Sequence, residues 1–327
     1  MTAERILVTG GAGYVGAHVC KALARSGFEP VVLDNLSTGH RSAVRWGRLI
    51  ELDLADKAAL VETLRRERPA GVAHLAASIE VAQSMREPAR YYANNVVNSL
   101  NLLEAMQAAG VPAIVFSSTG ATYGIATQVP IPEDHLQLPV NPYGETKLVI
   151  ERALGWLGKA QGLRWLAFRY FNAAGADPDA EIGEQHEPEI HLIPLALGAA
   201  LGHRPPLQVM GLDYPTPDGT AVRDYVHVAD LAEAHVVGLR HLLAGGESGA
   251  FNLGSGRGTS VREIVDEVAT VTGRRPPVRE SGRRPGDPPI LVADPRRAMR
   301  TLGWQPRQSD LRTILETAAR WHGGGVR

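Results

Sequence analysis

Apolar and polar positions follow two rhythms through the first half of the chain. Short apolar, β-branched runs recur at Arg5–Thr9, Pro30–Leu33, Leu49–Leu52, Gly71–Leu75, Ala113–Phe116 and Leu166–Arg169. Such runs suit strands buried on both faces of a parallel sheet. Between them, apolar residues return at helical spacing over Ala17–Ala24, Ala58–Arg68, Ala89–Ala109 and Pro142–Gln161. Strand and helix in alternation predict right-handed βαβ units. The pattern breaks near Gly175. Pro, Gly, Asp and Glu crowd 176–188, and a mixed segment with few clean strands follows. A helix over Val228–Leu243 and a strand over Ala250–Leu253 then look able to return to the large sheet.

The first strand runs straight into Gly10, Gly13 and Gly16 of GGAGYVG and then into an apolar-periodic helix. Strand, glycine turn and helix together are the context of a dinucleotide fingerprint. Gly10 permits the tight turn, Gly13 lets backbone approach a pyrophosphate, and Gly16 allows close helix–strand packing. The helix N-terminus then presents free N–H groups to the phosphates. Asp34 ends the second strand, placed to accept hydrogen bonds from an adenine ribose diol. It would repel a 2′-phosphate, and Asn35–Gly39 supplies no compensating Arg, so NAD rather than NADP is expected. The fold class is therefore α/β, a Rossmann-type doubly wound parallel sheet with a smaller C-terminal substrate-binding domain. Residues 1–175 form the nucleotide domain, with return segments near 228–255, and 176–327 mainly the substrate domain, interleaved with it.

Bulk properties narrow the partners. The chain has 327 residues, a net charge of −1 and a pI near 6.8, which argue against nucleic acid or an anionic membrane surface. Cys20 is the only cysteine, so no disulfide forms within the chain and a reducing compartment is expected. The chain enters a strand at once, leaving no room for a signal peptide, and no apolar run is long enough to span a bilayer. A cytoplasmic protein with no metal ligand set is expected.

The candidate chemistry lies in Tyr143 and Lys147. Four residues apart on a helix, they share a face. An ammonium beside a phenol favours the phenolate and lowers its pKa, which would make a base for a sugar hydroxyl. Alone, the pair is a weak signal. The strand Ala113–Phe116 empties into a turn carrying Ser117, Ser118, Thr119 and Thr122, and one of these hydroxyls can complete a trio with Tyr143 and Lys147. Spacing does not choose among them.

Over nearly its whole length the chain resembles the extended short-chain dehydrogenases/reductases, and within them the UDP-glucose 4-epimerases. The resemblance rests on Gly10–Gly16, Ser117–Gly124 (SSTGATYG), Asn141–Lys147 (NPYGETK), Arg169–Asn172 (RYFN) and Asp213–His227 (DYPTPDGTAVRDYVH). It implies that Thr119, Tyr143 and Lys147 are catalytic. Cofactor contacts are implied for Tyr14, Val15, Asn35, Ser37, Thr38, Gly39, Asp53 and Leu54. Leu75, Ala76, Ala77, Asn95, Ser117, Tyr170 and Phe171 complete that set. For a UDP-sugar it implies Asn172, His191, Leu192, Gln208, Val209, Met210, Arg223, Arg284, Asp287 and Leu291. Arg223 and Arg284 would bind the diphosphate and Asp287 the uridine ribose. The reaction implied is oxidation at C4 by NAD, rotation of the 4-keto sugar and re-reduction from the other face, in a homodimer.

Three positions depart from the family pattern. Ile79 stands where a Lys often meets the cofactor, so NAD should be held less tightly. His191 replaces an Asn that contacts substrate, and a packed loop histidine is an equal expectation. Leu291 replaces a Tyr found in members restricted to simple hexoses, which widens the pocket towards N-acetylhexosamines. Epimerisation of a UDP-pentose also fits the motifs. Gly120 and Ala121 follow Thr119 where dehydratases carry Asp-Glu, so water elimination lacks its acid. A non-enzymatic NAD-sensing scaffold would usually lose Tyr143 or Lys147, and both are present.

Overall fold

The computed structural model describes residues 3–283 and 288–323. Strand β1 (Arg5–Thr9) leads to α1 (Tyr14–Arg25), β2 (Glu29–Asp34), β3 (Arg48–Glu51), α2 (Lys57–Glu67) and β4 (Gly71–His74). Helices α3 (Val81–Arg86), α4 (Pro88–Tyr91) and α5 (Asn98–Ala109) precede β5 (Ala113–Thr119), α6 (Pro142–Gln161), β6 (Arg164–Tyr170) and β7 (Asn172–Ala174). Next come α7 (Leu192–Ala200), β8 (Leu207–Met210), β9 (Val222–Arg223), β10 (Tyr225–His227), α8 (Val228–Leu243) and β11 (Gly249–Leu253). The described chain ends with β12 (Thr259–Ser260), α9 (Val261–Thr272), β13 (Val278–Ser281), β14 (Ile290–Leu291), α10 (Arg296–Leu302) and α11 (Leu311–Gly323).

Seven strands form one parallel sheet in the order β11-β6-β5-β4-β1-β2-β3. Alternate residues of each strand feed opposite faces. Ile6 and Val8 pack with Val19 and Leu23 of α1 and with Leu231 and Leu239 of α8. Leu7 packs on the other side with Leu60 of α2, Leu102 of α5 and Ile150 of α6. Both faces are covered, which is why the strands read as unbroken apolar runs. Cys20 is 2% exposed within the first of these layers. This is the Rossmann-type doubly wound sheet that the pattern predicts. The strand order reverses between β1 and β4, and that switch point opens the crevice where such sheets bind nucleotides.

Three small sheets, β10-β7, β12-β9-β14 and β13-β8, lie in the second half of the chain. There α7, α9 and α11 share a third apolar cluster that includes Leu197, Ile264 and Ile314. Helix α8 packs on α1, and β11 adds to the sheet beside β6. One prediction needs correction. The helix over Ala89–Ala109 is interrupted by a π-helical stretch, Tyr92–Val97. The cause is tertiary: Asn95, in the wide turn, bonds the backbone of Ser78 through both its amide oxygen and its amide nitrogen. Among the described residues no helix is long and apolar enough to cross a membrane.

Candidate active site

The glycine turn between β1 and α1 forms a cradle. Gly10 has φ +71°, and a Cβ there would sit 2.6 Å from Ala76 N, beyond β4. A Cβ on Gly16 would lie 2.0 Å from Gly10 O, so helix and turn touch backbone to backbone. Gly13 caps α1 without any side-chain hydrogen bond, and the first turn of the helix carries no acid. The α1 N-terminus is therefore shaped and charged for a pyrophosphate. Tyr14 and Val15 open the helix, and the Tyr14 hydroxyl donates to Gly175 O at 2.6 Å.

Asp34, at the end of β2, accepts from Ala12 N at 3.0 Å and Leu36 N at 2.9 Å, which aims its carboxylate along the cradle. Asn35 Nδ2 donates to Asp53 Oδ2 at 2.7 Å, joining two of the expected adenosine-side residues. Ser37 and Thr38 are exposed, Gly39 would carry its Cβ 3.1 Å from Asp34 Oδ1, and Leu54 is buried. Leu75, Ala76 and Ala77 follow β4 as a half-buried loop facing Gly10. Ile79, further along that loop, is 43% exposed. Asn95 fixes the loop by its bonds to Ser78 and donates to Thr146 Oγ1 of α6 at 3.2 Å. These residues surround the switch point and suit an NAD whose pyrophosphate lies on α1.

Asn141 caps α6, its side chain accepting from Gly144 N at 2.8 Å, with Pro142 at the first helical position. Such a cap contributes about 1 kcal/mol and starts the helix so that Tyr143 lies in its first turn. Gly144 brings that turn against the end of β5: a Cβ there would be 2.6 Å from Ala121 O. Thr119, the last residue of β5, lies within hydrogen-bonding reach of the Tyr143 phenol. The remaining turn hydroxyls have other partners. Ser117 Oγ lies 2.9 Å from His235 Nε2, Ser118 donates to Glu151, and Thr122 donates to Thr119 O at 3.0 Å. Thr119 Oγ1 accepts from Ala121 N at 3.1 Å, which leaves its proton free to orient.

Lys147 is 3% exposed and donates to Ser117 O at 2.9 Å, its Nζ 6.0 Å from the centroid of the Tyr143 ring. The electrostatics correct the simple expectation of a phenol pulled down by its lysine. Burial holds the Tyr143 pKa above its ordinary value, nearby Tyr170 adds to this, and the Thr119 hydroxyl opposes it. Burial also lowers Lys147 to about 7, with Glu151 working the other way. Two buried groups thus each disfavour their charged forms, and helical spacing says nothing of desolvation.

Behind the trio, Glu151 and Arg169 form a buried ion pair at 2.6 Å. Arg169 also donates to the Tyr123 hydroxyl at 2.8 Å, and Tyr123 donates to Asn252 Oδ1 at 2.7 Å. This network joins α6, β6 and β11 and holds α6 in place. Sequence reasoning quoted Arg169 only as part of a motif, and its apolar strand context hid the partner.

On the substrate side, Tyr170 pairs with Thr119 across the sheet, and Phe171 stacks 6.5 Å from Tyr123. Asn172 opens β7 and its N–H donates to Asp224 O, next to Arg223. Arg223 of β9 pairs in register with Leu291 of β14. Gln208, Val209 and Met210 lie on β8 and Leu192 opens α7, in separate small elements. Arg284 and Asp287 lie outside the described residues. His191 proves to be packed in a cluster that sequence reasoning missed. Burial opposes its charge, but hydrogen bonds to Glu184 and Glu189 outweigh that and raise its pKa to about 10.

A switch-point cradle for NAD, facing a threonine and a tyrosine hydroxyl, is the arrangement by which extended short-chain dehydrogenases/reductases oxidise an alcohol carbon. Within that class the match is closer. Residues 6–254 match the NAD dependent epimerase/dehydratase family. A UDP-glucose 4-epimerase of Rhizobium leguminosarum bv. trifolii is 52% identical over 98% of both chains. The crystal structure of UDP-glucose 4-epimerase from Brucella ovis in complex with NAD superposes with a TM-score of 0.96 at 52% identity, covering 98% of this chain and 99% of that one. A UDP-glucose-4-epimerase from Stenotrophomonas maltophila, solved with NAD and formylated UDP-arabinopyranose, has a TM-score of 0.95 at 38% identity, covering 98% of each chain. The chain belongs to the NAD dependent epimerase/dehydratase family, among its UDP-glucose 4-epimerases, and its cofactor is NAD.

Proposed function

We propose that this protein interconverts UDP-glucose and UDP-galactose by inverting the configuration at C4 of the sugar. The observation that carries the reading is the Thr119 hydroxyl within hydrogen-bonding reach of the Tyr143 phenol, in a chain that also carries the Gly10–Gly16 cradle. NAD, when bound, would supply the hydride acceptor and donor for C4 and, in its oxidised form, a positive charge in the site. Tyr143 accepts the proton of the 4-hydroxyl and gives it back, and Thr119 orients that hydroxyl by a hydrogen bond. Lys147, anchored on Ser117 O, stands ready to hold the cofactor ribose and to add charge beside Tyr143. The 4-keto sugar turns about its bond to the diphosphate and presents its other face. Grip must therefore fall on the UDP rather than the hexose. The family resemblance assigns that grip to Asn172, Arg223, Arg284 and Asp287, with Leu192 and Gln208–Met210 as further substrate contacts.

Residues 1–175 with 228–255 form the NAD-binding part and 176–327 mainly the UDP-sugar part. That division is supported by β11 and α8 packing on the large sheet, while α7, α9 and α11 share a core of their own. Leu291 supports a second substrate class, UDP-N-acetylhexosamines, because it is smaller than the tyrosine of hexose-restricted members. The protein is read as cytoplasmic, and a homodimer through Ala89–Ala109 and Pro142–Gln161 fits the exposed Val97, Leu100 and Trp156 on those stretches; light scattering would read a mass of two chains. Tyr143→Phe tests the catalytic assignment. It should lower kcat by about 10²–10⁴-fold with unchanged NAD binding, and turnover within twofold of wild type would sink it.

A further inference from the structure

Away from the Tyr143 site, the loop between β7 and α7 gathers Glu184, His186, Glu189 and His191, one ligand atom of each lying within 4.8 Å of the others. His191 Nδ1 is 2.7 Å from Glu184 Oε1 and 3.0 Å from Glu189 Oε1. His186 Nδ1 is 3.2 Å and 3.9 Å from the same two oxygens. A tetrahedral zinc with bonds of about 2.0–2.1 Å sets its ligand atoms about 3.3 Å apart, in the middle of that range. Both carboxylates are buried, Glu184 at 4% and Glu189 at 8% exposure. The second observation is His186 Nδ1. That atom is buried and faces both carboxylates at ion-pair range, 3.2 Å from Glu184 Oε1, without meeting hydrogen-bond geometry, while the side chain as a whole keeps 21% exposure. An imidazole nitrogen facing two carboxylate oxygens off hydrogen-bond geometry is placed as a ligand sharing one cation with them would be.

We propose that Glu184, His186, Glu189 and His191 bind a zinc ion as a closed, four-ligand structural site. Two imidazole nitrogens and two carboxylate oxygens match zinc. Calcium takes six or more oxygens, and cuprous ion prefers sulfur. The ion clips together three parts of the fold. The ring of Tyr14, at the start of the NAD helix, meets the His186 ring edge-on at 6.4 Å. Trp321 of α11 donates to Glu184 O at 3.0 Å, and His191 caps α7. Zinc therefore braces the loop where the NAD cradle adjoins the UDP-sugar part, without touching a reacting atom.

The test is metal content of the purified full-length protein, stripped with chelator, reloaded with zinc chloride alone and passed over a gel-filtration column. The wild type is expected to retain one zinc per chain, to melt at higher temperature with the metal, and to give a tetrahedral absorption band with cobalt. Glu184→Gln and His186→Ala should each lose the zinc while keeping NAD binding. The second variant alters a partly exposed side chain and guards against misfolding in the first. A wild type that retains no zinc, or variants that retain as much as the wild type, would overturn the proposal. The cluster would then be held by ion pairs of His186 and His191 with the two glutamates alone. Metal content does not depend on turnover of any sugar nucleotide, so this failure is distinguishable from failure of the epimerase reading.

Discussion

Replacing Gly16 with alanine would place a Cβ 2.0 Å from Gly10 O and 2.8 Å from Gly11 Cα. Real Cβ atoms essentially never approach within 3.0 Å, so α1 would have to retreat from the glycine turn by about 1 Å. Both contacts are backbone, and no side-chain rotation relieves them. The expected cost is therefore at the upper end of overpacking, about 3 kcal/mol, or a fall of about 4 °C in Tm for a chain of this size. The same retreat carries the α1 N–H groups away from the pyrophosphate. Losing one such charge-assisted bond weakens NAD by about tenfold to a hundredfold. Gly13→Ala is the control, because its Cβ would meet only Gly10 O, at 3.3 Å. It should leave Tm within about 2 °C, a cost below about 1 kcal/mol, yet block NAD, since the new methyl occupies the face the pyrophosphate approaches. Thermal melts and calorimetric NAD titrations of stripped protein read both quantities. A Gly16→Ala protein with wild-type Tm and wild-type NAD affinity would refute the close-packing argument.

Two further outcomes follow from the site. Lys147 has an ordinary pKa of 10.5, lowered by burial to about 7 in the folded protein. Between those values the unfolded chain binds the extra proton, so the stability of NAD-stripped protein should rise with pH across that window. Lys147→Met should lack this contribution, and equal pH slopes in urea denaturation of the two proteins would contradict it. For the pocket, wild type should turn over UDP-N-acetylglucosamine and Leu291→Tyr should lose that activity while keeping UDP-glucose. Background turnover by the wild type would remove the second substrate class.

The parallel sheet was legible because its strands are buried on both faces and therefore read as plain apolar runs. Helices α6 and α8 were legible to their ends, since an Asn-Pro start and a clean apolar stripe mark them. The π-helical turn was not, because it depends on Asn95 meeting a loop distant in sequence. Helix α9 carried a readable signal, the capping box of Ser260 and Glu263, hidden in a segment of mixed pattern. Spacing put Tyr143 and Lys147 on one helix face, but the sign of the phenol's shift depends on desolvation, which spacing does not carry. The Glu184–His191 cluster escaped notice because its spacing fits no single turn of helix or strand, and only the loop's fold brings the four side chains to one point.

The most direct test of the epimerase account is proton NMR of purified protein mixed with UDP-glucose and no added cofactor, repeated with NAD in the same tube. The account predicts new anomeric signals of UDP-galactose, appearing at once if NAD is retained and on addition if the exposed Ile79 loop has let it go. UDP-glucose left untouched with NAD present would contradict it.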